Sequence, residues 1–316
     1  MSSNYAVLGG AGFIGHHFVK ILLAQGHRVL VVDNLTSGTL GHISFFRNHP
    51  NFSFRKMNIK ETKKLSKLLV GFEYVIHLAS NPDISKAATH PRIDFDQGTI
   101  LTESVIEACR LANIDRVLYA SGSGVYGDAA NLLLSENSPL NPISTYGASK
   151  LAGEALLSSY SHMFGIKSLS FRFANVVGSR QTHGVGLDFL KSLLSNSSRL
   201  HILGNGLQNK SYVYVEDIIS AVLLANEKSV KSFEVFNIST RDSITVNQIA
   251  DLTIKELNLS TRNVLKTYSG GDRGWKADVP IVRLDPSKIE SLGWSPQHSS
   301  FDAIRKSLRE LHVSLK

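Results

Sequence analysis

Short apolar runs alternate with stretches of helical periodicity along the first half of the chain. The strand-like runs cover residues 5–8, 28–32, 74–79, 116–120 and 168–173. A helical pattern follows the first run, and further patterns cover residues 61–70, 97–112 and 146–163. Because parallel strands need long crossover connections, which helices supply, this order predicts an α/β fold with a doubly wound parallel sheet. Ligands are then expected outside the carboxyl ends of the strands.

A glycine-rich turn follows the first apolar run, with the sequence Gly9-Gly10-Ala11-Gly12-Phe13-Ile14-Gly15. The missing Cβ atoms at 9, 12 and 15 let the backbone approach a pyrophosphate, whose charge then meets the positive end of the following helix. Asp33 ends the second strand, where a carboxylate accepts hydrogen bonds from an adenosine ribose. The glycine spacing alone also occurs in ordinary tight turns, but in this context it indicates a Rossmann-type dinucleotide site.

The segment after Asp33 bears on the choice between NAD and NADP. Residues 34–41 contain no Lys or Arg that could pair with a 2′-phosphate, and Asp33 would repel one. NAD is therefore predicted as the cofactor in preference to NADP.

The second half of the chain has shorter elements. Strands are predicted at 200–203, 211–215 and 235–238, with a turn at 204–206 and helices from about Asp217 and Val246. We expect an NAD-binding domain at 1–175, to which segments near 212–240 return. Residues 176–316 are expected to form mainly a smaller α/β domain for the substrate.

The composition and charge of the chain indicate which partners and which location to expect. The chain has 316 residues and a net charge of +8, but its 34 basic residues are scattered, so we expect no nucleic-acid partner and at most a surface that favours an anionic substrate. Cys109 is the only cysteine, which fits a reducing compartment. No apolar run approaches the roughly 18 residues of a membrane span, and the early glycine turn leaves no room for a signal peptide. A cytoplasmic protein with no membrane partner is expected.

The twelve histidines show no metal-ligand spacing. His16 and His17 are adjacent and so point to different helix faces, while His77 lies inside an apolar run. We therefore expect no metal site.

Tyr146 and Lys150 are four residues apart, on one face of a predicted helix. A neighbouring Lys charge, helped by a cationic nicotinamide, favours the phenolate and should lower the pKa of Tyr146. The phenol could then act as a general base for a sugar or alcohol hydroxyl. Alone, this spacing is most often a chance surface pattern; downstream of a cofactor turn it indicates catalysis.

Further motifs extend this pattern over essentially the whole chain. They are Asp33-Asn34-Leu35, His77-Leu78-Ala79-Ser80, Val125-Tyr126-Gly127, Tyr146 to Lys150, Arg172 to Gly178, Gly204-Asn205-Gly206, Tyr214 to Asp217 and Gly271 to Trp275. With the glycine turn, they resemble the extended short-chain dehydrogenase/reductase family, and within it the nucleotide-sugar 4-epimerases, particularly archaeal UDP-galactose/UDP-glucose 4-epimerases. The motifs are more specific for fold and cofactor than for the reaction.

The resemblance implies roles for individual residues. Tyr146 would be the base, and Lys150 would hold the nicotinamide ribose and tune Tyr146. The implied cofactor contacts are Gly9, Gly12, Phe13, Ile14, Gly15, Asp33, Asn34, Asn58, Ile59, Leu78, Ala79, Tyr146 and Lys150. The implied substrate contacts are Ser123, Tyr146, Asn175, His201, Lys210 and Arg273.

Several of these positions have a more specific implied role. Asn175 would contact the substrate diphosphate, Lys210 and Arg273 would pair with phosphate charge, and residues 201–203 would run alongside a uracil. Solvated surface charge is the alternative for Lys210 and Arg273. Lys210 stands where many relatives carry Arg, and Asn58 replaces the acid that usually contacts adenine.

One position departs from the family pattern. Relatives carry a catalytic Ser or Thr five residues before the glycine of Val-Tyr-Gly, and here that position is Gly122. Losing such a donor typically costs about 10²- to 10³-fold in rate. Ser121 or Ser123 could supply the hydroxyl, and Ser123 is preferred; without either, the protein would be a slow or altered enzyme.

The resemblance implies NAD-dependent epimerisation at C4 of a UDP-hexose through transient oxidation to a 4-keto sugar. Dehydratases and decarboxylases of this group carry acidic residues just before Val-Tyr-Gly, where this chain has Ser123 and Gly124. A nucleotide-sugar dehydratase or reductase is the alternative enzyme. Because of Gly122, a non-catalytic protein that binds NAD or a nucleotide sugar also stays open.

Two further expectations come from the resemblance. Helices at 97–112 and 146–163 pair across a two-fold axis in relatives, which implies a homodimer that would use Ile100, Val105, Leu151, Ala155 and Leu156. These side chains could instead only cover their own sheet. A gate for the 2-substituent of the sugar falls at about Val282, which is small enough to admit an acetamido group unless it is a buried strand residue.

Overall fold

The computed structural model describes residues 2–129 and 132–316. The chain divides into two compact units. The first unit holds the chain up to Val125, together with Ser144–Arg172 and Val222–Phe236. The second unit holds Tyr126–Ile143, Phe173–Ala221 and Asn237–Lys316. Each unit therefore draws segments from both halves of the sequence.

The strands are short, as expected of an α/β protein. In chain order they are β1 (Asn4–Leu8), β2 (Arg28–Asp33), β3 (Phe52–Lys56), β4 (Tyr74–His77), β5 (Arg116–Gly122), β6 (Leu133–Leu134), β7 (Lys167–Phe173), β8 (Asn175–Val177), β9 (Arg199–Ile202), β10 (Asn209–Lys210), β11 (Tyr212–Tyr214), β12 (Phe233–Ile238), β13 (Ile244–Thr245), β14 (Leu265–Tyr268) and β15 (Ile281–Leu284).

Helices connect most of these strands. They are α1 (Phe13–Ala24), α2 (Leu40–Ile43), α3 (Thr62–Leu69), α4 (Ile100–Leu111), α5 (Thr145–Phe164), α6 (Val185–Ser195), α7 (Val215–Lys228), α8 (Val246–Glu256), α9 (Ser287–Glu290) and α10 (Ser300–Leu315). Short 3₁₀ helices lie at Ser44–Phe46, Ile84–Ala88 and Ser123–Val125. A π-helical turn at Phe95–Thr99, called the π-turn below, leads directly into α4.

A seven-stranded sheet has the order β12-β7-β5-β4-β1-β2-β3. The strands β3, β2, β1, β4 and β5 pair parallel, and Leu8 lies opposite Val32 on one side and His77 on the other. In β1 the residues from Tyr5 to Leu8 are all buried, which explains why parallel strands read as continuous apolar runs. The predicted doubly wound Rossmann-type sheet is confirmed.

The second unit has smaller sheets. Four strands pair in the order β13-β10-β15-β6, and two further pairs are β11 with β8 and β14 with β9. The expected smaller α/β part in the second half of the chain is thus present.

Strand β3 was not predicted from the sequence. It lies at the edge of the large sheet, and its residues, Phe-Ser-Phe-Arg-Lys, are half-buried or exposed. An edge strand needs no continuous apolar run, so the alternation of apolar and polar residues gave too weak a signal. The run at 74–79 is a strand only to His77, because the N–H groups of Leu78 and Ala79 both donate to Leu8 O.

Candidate functional site

The glycine turn forms a cradle that side chains would fill. Gly9 has a φ of +83°, and a Cβ there would lie 2.9 Å from the backbone nitrogen of Ala79. A Cβ on Gly15 would lie 2.4 Å from Gly9 O. Helix α1 starts directly after Gly12, which provides no side-chain cap for the first N–H groups of the helix. This arrangement fits the pyrophosphate of a dinucleotide.

Asp33 joins the glycine turn to the loop that follows β2. Its side chain is 7% exposed, and Oδ2 accepts a hydrogen bond from Ala11 N at 3.0 Å. Its Oδ1 accepts one from Leu35 N at 2.8 Å. A Cβ on Gly38 would lie 3.0 Å from the same oxygen. The carboxylate is therefore fixed at the end of β2, where its remaining lone pairs can accept ribose hydroxyls.

The other expected cofactor residues follow parallel strands of the large sheet. Asn34 follows β2, Asn58 and Ile59 follow β3, and Leu78 and Ala79 follow β4. The side-chain oxygen of Asn34 accepts a hydrogen bond from Thr36 N, and that of Asn58 accepts one from Lys60 N. Among the described residues neither NH₂ group has a hydrogen-bond acceptor, so each can donate to a ligand. Ile59 and Phe13 are buried, and Ile14 is half-buried.

Tyr146 and Lys150 lie on the first two turns of α5. The helix is capped by Ser144, whose hydroxyl accepts a hydrogen bond from Gly147 N at 3.0 Å. Lys150 Nζ donates to Ala120 O at 2.7 Å and lies 5.5 Å from the centre of the Tyr146 ring. The expected pairing of phenol and ammonium is therefore present, with the ammonium anchored on β5.

The electrostatics differ from the expectation. Although part of its surface is exposed, Tyr146 is packed closely enough that burial, with a smaller contribution from Asp94, raises its pKa to about 12. Burial also lowers the pKa of Lys150 to about 8, against the opposing effects of Asp94 and Glu154. The expected lowering of the phenol pKa is thus not produced by the protein's own groups, because burial, the largest cause, and Asp94 both raise it.

Ser121 and Ser123 lie in different environments. Ser121 is buried and donates to Glu154 Oε1 at 2.5 Å. The same carboxylate forms a buried ion pair with Arg172, with Nη2 to Oε2 at 2.7 Å. Ser123 is half-buried and makes no side-chain hydrogen bond within residues 2–129 and 132–316. This contrast supports the preference for Ser123 as the available hydroxyl.

The loop after β5 packs on the start of α5. A Cβ on Gly124 would lie 3.5 Å from Gly147 Cα and 3.8 Å from Tyr146 Cδ1. Ser123 immediately precedes this contact between the loop and α5. Further along, a Cβ on Gly127 would lie 1.8 Å from Asn141 O, which explains why Val-Tyr-Gly ends in glycine.

Glu154 and Asp94 were not predicted from the sequence as parts of the site. Glu154 carried a signal, since it lies four residues after Lys150 and continues the face formed by Tyr146 and Lys150. Asp94 carried none. It is 1% exposed, accepts hydrogen bonds from Asn81 Nδ2 and Thr145 Oγ1, and immediately precedes the π-turn.

Lys210 and Arg273 both bind Asp278 in the second unit. Lys210 Nζ lies 2.6 Å from Asp278 Oδ1, and Arg273 donates to Asp278 O. Arg273 also forms an ion pair with Asp128. The alternative of solvated surface charge is therefore wrong for Lys210, whose side chain is 21% exposed and paired. Phosphate contacts for both residues stay a prediction.

The remaining substrate candidates lie on strands of the same unit. Asn175, in β8, donates from its backbone N and from Nδ2 to Ser211 O. His201, in β9, is exposed, and its Nδ1 lies 3.1 Å from Thr267 Oγ1. Val282 is a half-buried residue of β15 and pairs with Lys210 of β10. Val282 is thus a strand residue beside one of the candidate phosphate contacts.

His77 belongs to the core. Burial lowers its pKa to about 3, and its Nε2 lies 3.1 Å from Thr102 Oγ1. In the part of the chain that the structure describes, no three His, Cys, Asp or Glu residues could hold a metal ion. Within the same residues, no helix is both long and apolar enough to span a membrane.

Comparison with known proteins gives consistent matches. Residues 5–239 match the model of the NAD dependent epimerase/dehydratase family. A UDP-glucose 4-epimerase of Mycolicibacterium smegmatis is 31% identical over 310 residues, which cover 96% of each chain. The crystal structure of a UDP-galactose 4-epimerase has a TM-score of 0.88 and 34% identity, covering 99% of this chain and 100% of that one. The structure of a UDP-N-acetylglucosamine 4-epimerase from Methanobrevibacter ruminantium has a TM-score of 0.89 and 28% identity, and the match covers 100% of each chain.

Proposed function

Since the chain belongs to the NAD-dependent epimerase/dehydratase family, we propose that it interconverts the C4 epimers of a UDP-hexose. Membership of this family also confirms NAD as the predicted cofactor. UDP-glucose and UDP-galactose, or their N-acetyl counterparts, are the proposed substrates. The first unit would hold NAD and the second mainly the nucleotide sugar.

The observation that carries this proposal is the loop beside Tyr146. Its residues Ser121, Gly122, Ser123 and Gly124 include no ionisable side chain, and Gly124 packs directly on the start of α5. A dehydratase needs a second acid or base to move a proton at carbon. A loop that offers only hydroxyl groups favours a reaction in which the sugar keeps all its atoms.

The roles of the chain's residues follow from their positions. NAD, when bound, supplies the redox chemistry at C4 of the sugar. Tyr146 takes the proton of the C4 hydroxyl and returns it, and Ser123 donates or accepts a hydrogen bond at the same oxygen. The raised pKa keeps the free phenol protonated at neutral pH, so its role as a base requires positive charge nearby. Because Lys150 is already in place beside the ring, the oxidised nicotinamide would supply the additional charge.

Substrate binding in the second unit would involve an exchange of ion-pair partners. Lys210 and Arg273 are held by the carboxylates of Asp278 and Asp128. A diphosphate would replace or share these carboxylates, so the cations are oriented before the substrate arrives. Asn175 and His201 would complete the nucleotide contacts, as the family resemblance implies.

Incubation with UDP-galactose and, separately, UDP-N-acetylgalactosamine tests the proposal. Proton NMR should show inversion at C4, and mass spectrometry should show no change in mass. Tyr146→Phe should lower turnover about 10²- to 10⁴-fold while nucleotide binding is kept, because only the ionisable hydroxyl is lost. Loss of one water from the sugar would instead identify a dehydratase. Binding of the sugar nucleotides by the wild type without any turnover would identify a sugar-nucleotide binding protein.

A homodimer is also proposed, on α4 and α5. Val105 is 1% exposed and lies in the core of its own unit, so the expectation that it contributes to a dimer face is wrong. Leu111, Met163 and Phe164 are exposed to 48%, 72% and 47% at the ends of the same helices. A mass near 34.6 kDa in light scattering would rule out the dimer.

A cytoplasmic location of the protein also stays a prediction.

A further inference from the structure

We propose that Asp94 is a positioning residue that fixes the first turn of α5 and keeps Lys150 charged beside Tyr146. Its role in catalysis rests on the proposed function, whereas its effect on Lys150 does not. Asp94 lies in none of the sequence motifs.

The hydrogen bonds of Asp94 tie three parts of the first unit together. Asn81, which follows β4, donates from Nδ2 to Asp94 Oδ1 at 2.9 Å. Thr145, the first residue of α5, donates from Oγ1 to Asp94 Oδ2 at 2.7 Å. Thr145 immediately precedes Tyr146, so the carboxylate fixes the point where the helix with the phenol begins. Both oxygens are occupied, which leaves Asp94 poorly placed to exchange a proton with a substrate.

The π-turn makes a second contact with the same helix. A Cβ on Gly98 would lie 2.5 Å from Ser149 Oγ and 2.7 Å from Ser149 Cβ, so only glycine fits there. Asp94 and Gly98 are four residues apart, as are their partners Thr145 and Ser149. The segment thus holds α5 at two points, on either side of Tyr146. Single π-turns inside helices are frequent at functional sites.

The charge of Asp94 acts on the same pair. Asp94 raises the pKa of Lys150 against the effect of burial, and it also raises the pKa of Tyr146. A carboxylate and an ammonium that are both buried compensate each other's loss of water. Without Asp94, burial would lower the pKa of Lys150 below about 8, and the lysine would lose its charge near neutral pH.

Other groups around Lys150 do not replace Asp94. Glu154 on α5 also raises the pKa of Lys150, but its carboxylate is shared with Arg172 and Ser121. From β4, His77 is neutral, since burial lowers its pKa to about 3. From β5, Tyr119 faces Nζ with its ring, whose centre is 5.1 Å away, and burial raises its pKa.

The test is an NMR titration of Lys150 in the full-length protein labelled with ¹³C at lysine Cε. The Lys150 signal is identified by its loss in Lys150→Met, and nucleotide content is measured in every sample. Asp94→Asn keeps the shape of the side chain but removes its charge, and it should lower the Lys150 midpoint by about one pH unit. Asp96→Asn is the matched control, because Asp96 is 38% exposed and pairs with Arg92. An unchanged midpoint in Asp94→Asn would overturn the proposal.

A second pair of variants tests the positioning. Thr145→Val keeps the charge of Asp94 but removes the hydrogen bond to the helix, so amide hydrogen exchange in the first turn of α5 should become faster. Thr145→Ser should restore slow exchange. Equal exchange in all three proteins would contradict the positioning role, even if Asp94→Asn proved too unstable to titrate.

Turnover supplies the catalytic part of the test. In Asp94→Asn, the high-pH limb of kcat should move to lower pH together with the Lys150 midpoint. A merely structural residue would lower kcat equally at every pH. If the protein epimerises no sugar, only the proposed function fails, and the titration still decides the role of Asp94.

Discussion

Ser121 donates a 2.5 Å hydrogen bond to Glu154, whereas its neighbour Ser123 makes no side-chain hydrogen bond within the described residues. Both residues flank Gly122, the position at which the family resemblance implies a catalytic hydroxyl. Glu154 also holds Arg172 through two N–H groups, at 3.0 Å and 2.7 Å. Ser121 therefore belongs to a buried polar network at the end of β5, while Ser123 keeps a hydroxyl that a ligand could bind.

The first prediction is that the two serines affect different properties. Ser121→Ala removes a buried hydrogen bond to a carboxylate and should lower the free energy of unfolding by about 1.5–3 kcal/mol, with little change in turnover. Ser123→Ala should lower kcat about 10²- to 10³-fold, with little change in stability. Urea unfolding and steady-state kinetics on both variants measure these effects.

Each variant serves as the control for the other. If both alanine variants turn over at the wild-type rate, the loop hydroxyl is dispensable. In that case Gly122→Ser is expected to raise the rate above wild type.

The sequence predicted the parts of the site that depend on local spacing. The glycine turn, Asp33 and the Tyr146–Lys150 pair each lie within one strand–turn–helix unit or one helix, so their geometry follows from neighbouring residues. Asp94 and Thr145 are 51 residues apart, and Lys210 and Asp278 are 68 apart. No periodicity or motif reports contacts at such separations, and desolvation of Tyr146 likewise depends on distant packing.

The second prediction concerns pH and the stability of the folded chain. The pKa of Lys150 is about 8 in the folded protein, against an ordinary value of 10.5. Between these values the unfolded chain binds a proton that the folded chain has lost, so the free energy of unfolding should rise with pH. For this one group the slope reaches about 1.4 kcal/mol per pH unit. Below pH 8 both states are protonated and the contribution is constant.

Denaturant unfolding of nucleotide-free protein across this pH range measures the slope. Lys150→Met should remove the contribution of Lys150, since methionine does not titrate. Lys63→Met, at an exposed lysine of α3, should leave the slope unchanged. The same slope in Lys150→Met and wild type would show that Lys150 titrates normally.

The third prediction is that the purified protein retains NAD. Denaturation should release mainly NAD, because Asp33 is fixed by Ala11 N and Leu35 N and would repel a 2′-phosphate. Asp33→Arg should weaken retention by removing both of these hydrogen bonds. Glu61→Arg makes the same charge change at an exposed position and should retain NAD. Release of mainly NADP from wild type would contradict the assignment.

The last prediction concerns the sugar pocket. Val282 pairs with Lys210 in the β10–β15 ladder, which places the expected gate beside a candidate phosphate contact. The side chain is half-buried and lacks the bulk to exclude an acetamido group. A single steric contact of this kind is worth about 1 to 3 kcal/mol, or roughly 10- to 200-fold in selectivity. UDP-N-acetylhexosamines should therefore be accepted alongside the simple sugars.

Specificity constants for the two sugar pairs test this gate. Val282→Tyr should lower kcat/KM for the acetamido sugars by about 10- to 200-fold and leave the simple sugars nearly unchanged. Arg283→Tyr places the same side chain on the next, exposed residue of β15, which faces the other side of the strand, and should leave both pairs unchanged. If wild type rejects the acetamido sugars, or if Val282→Tyr leaves their kcat/KM untouched, Val282 is not the gate, because a side chain that sets the width of the pocket must change selectivity when its size changes.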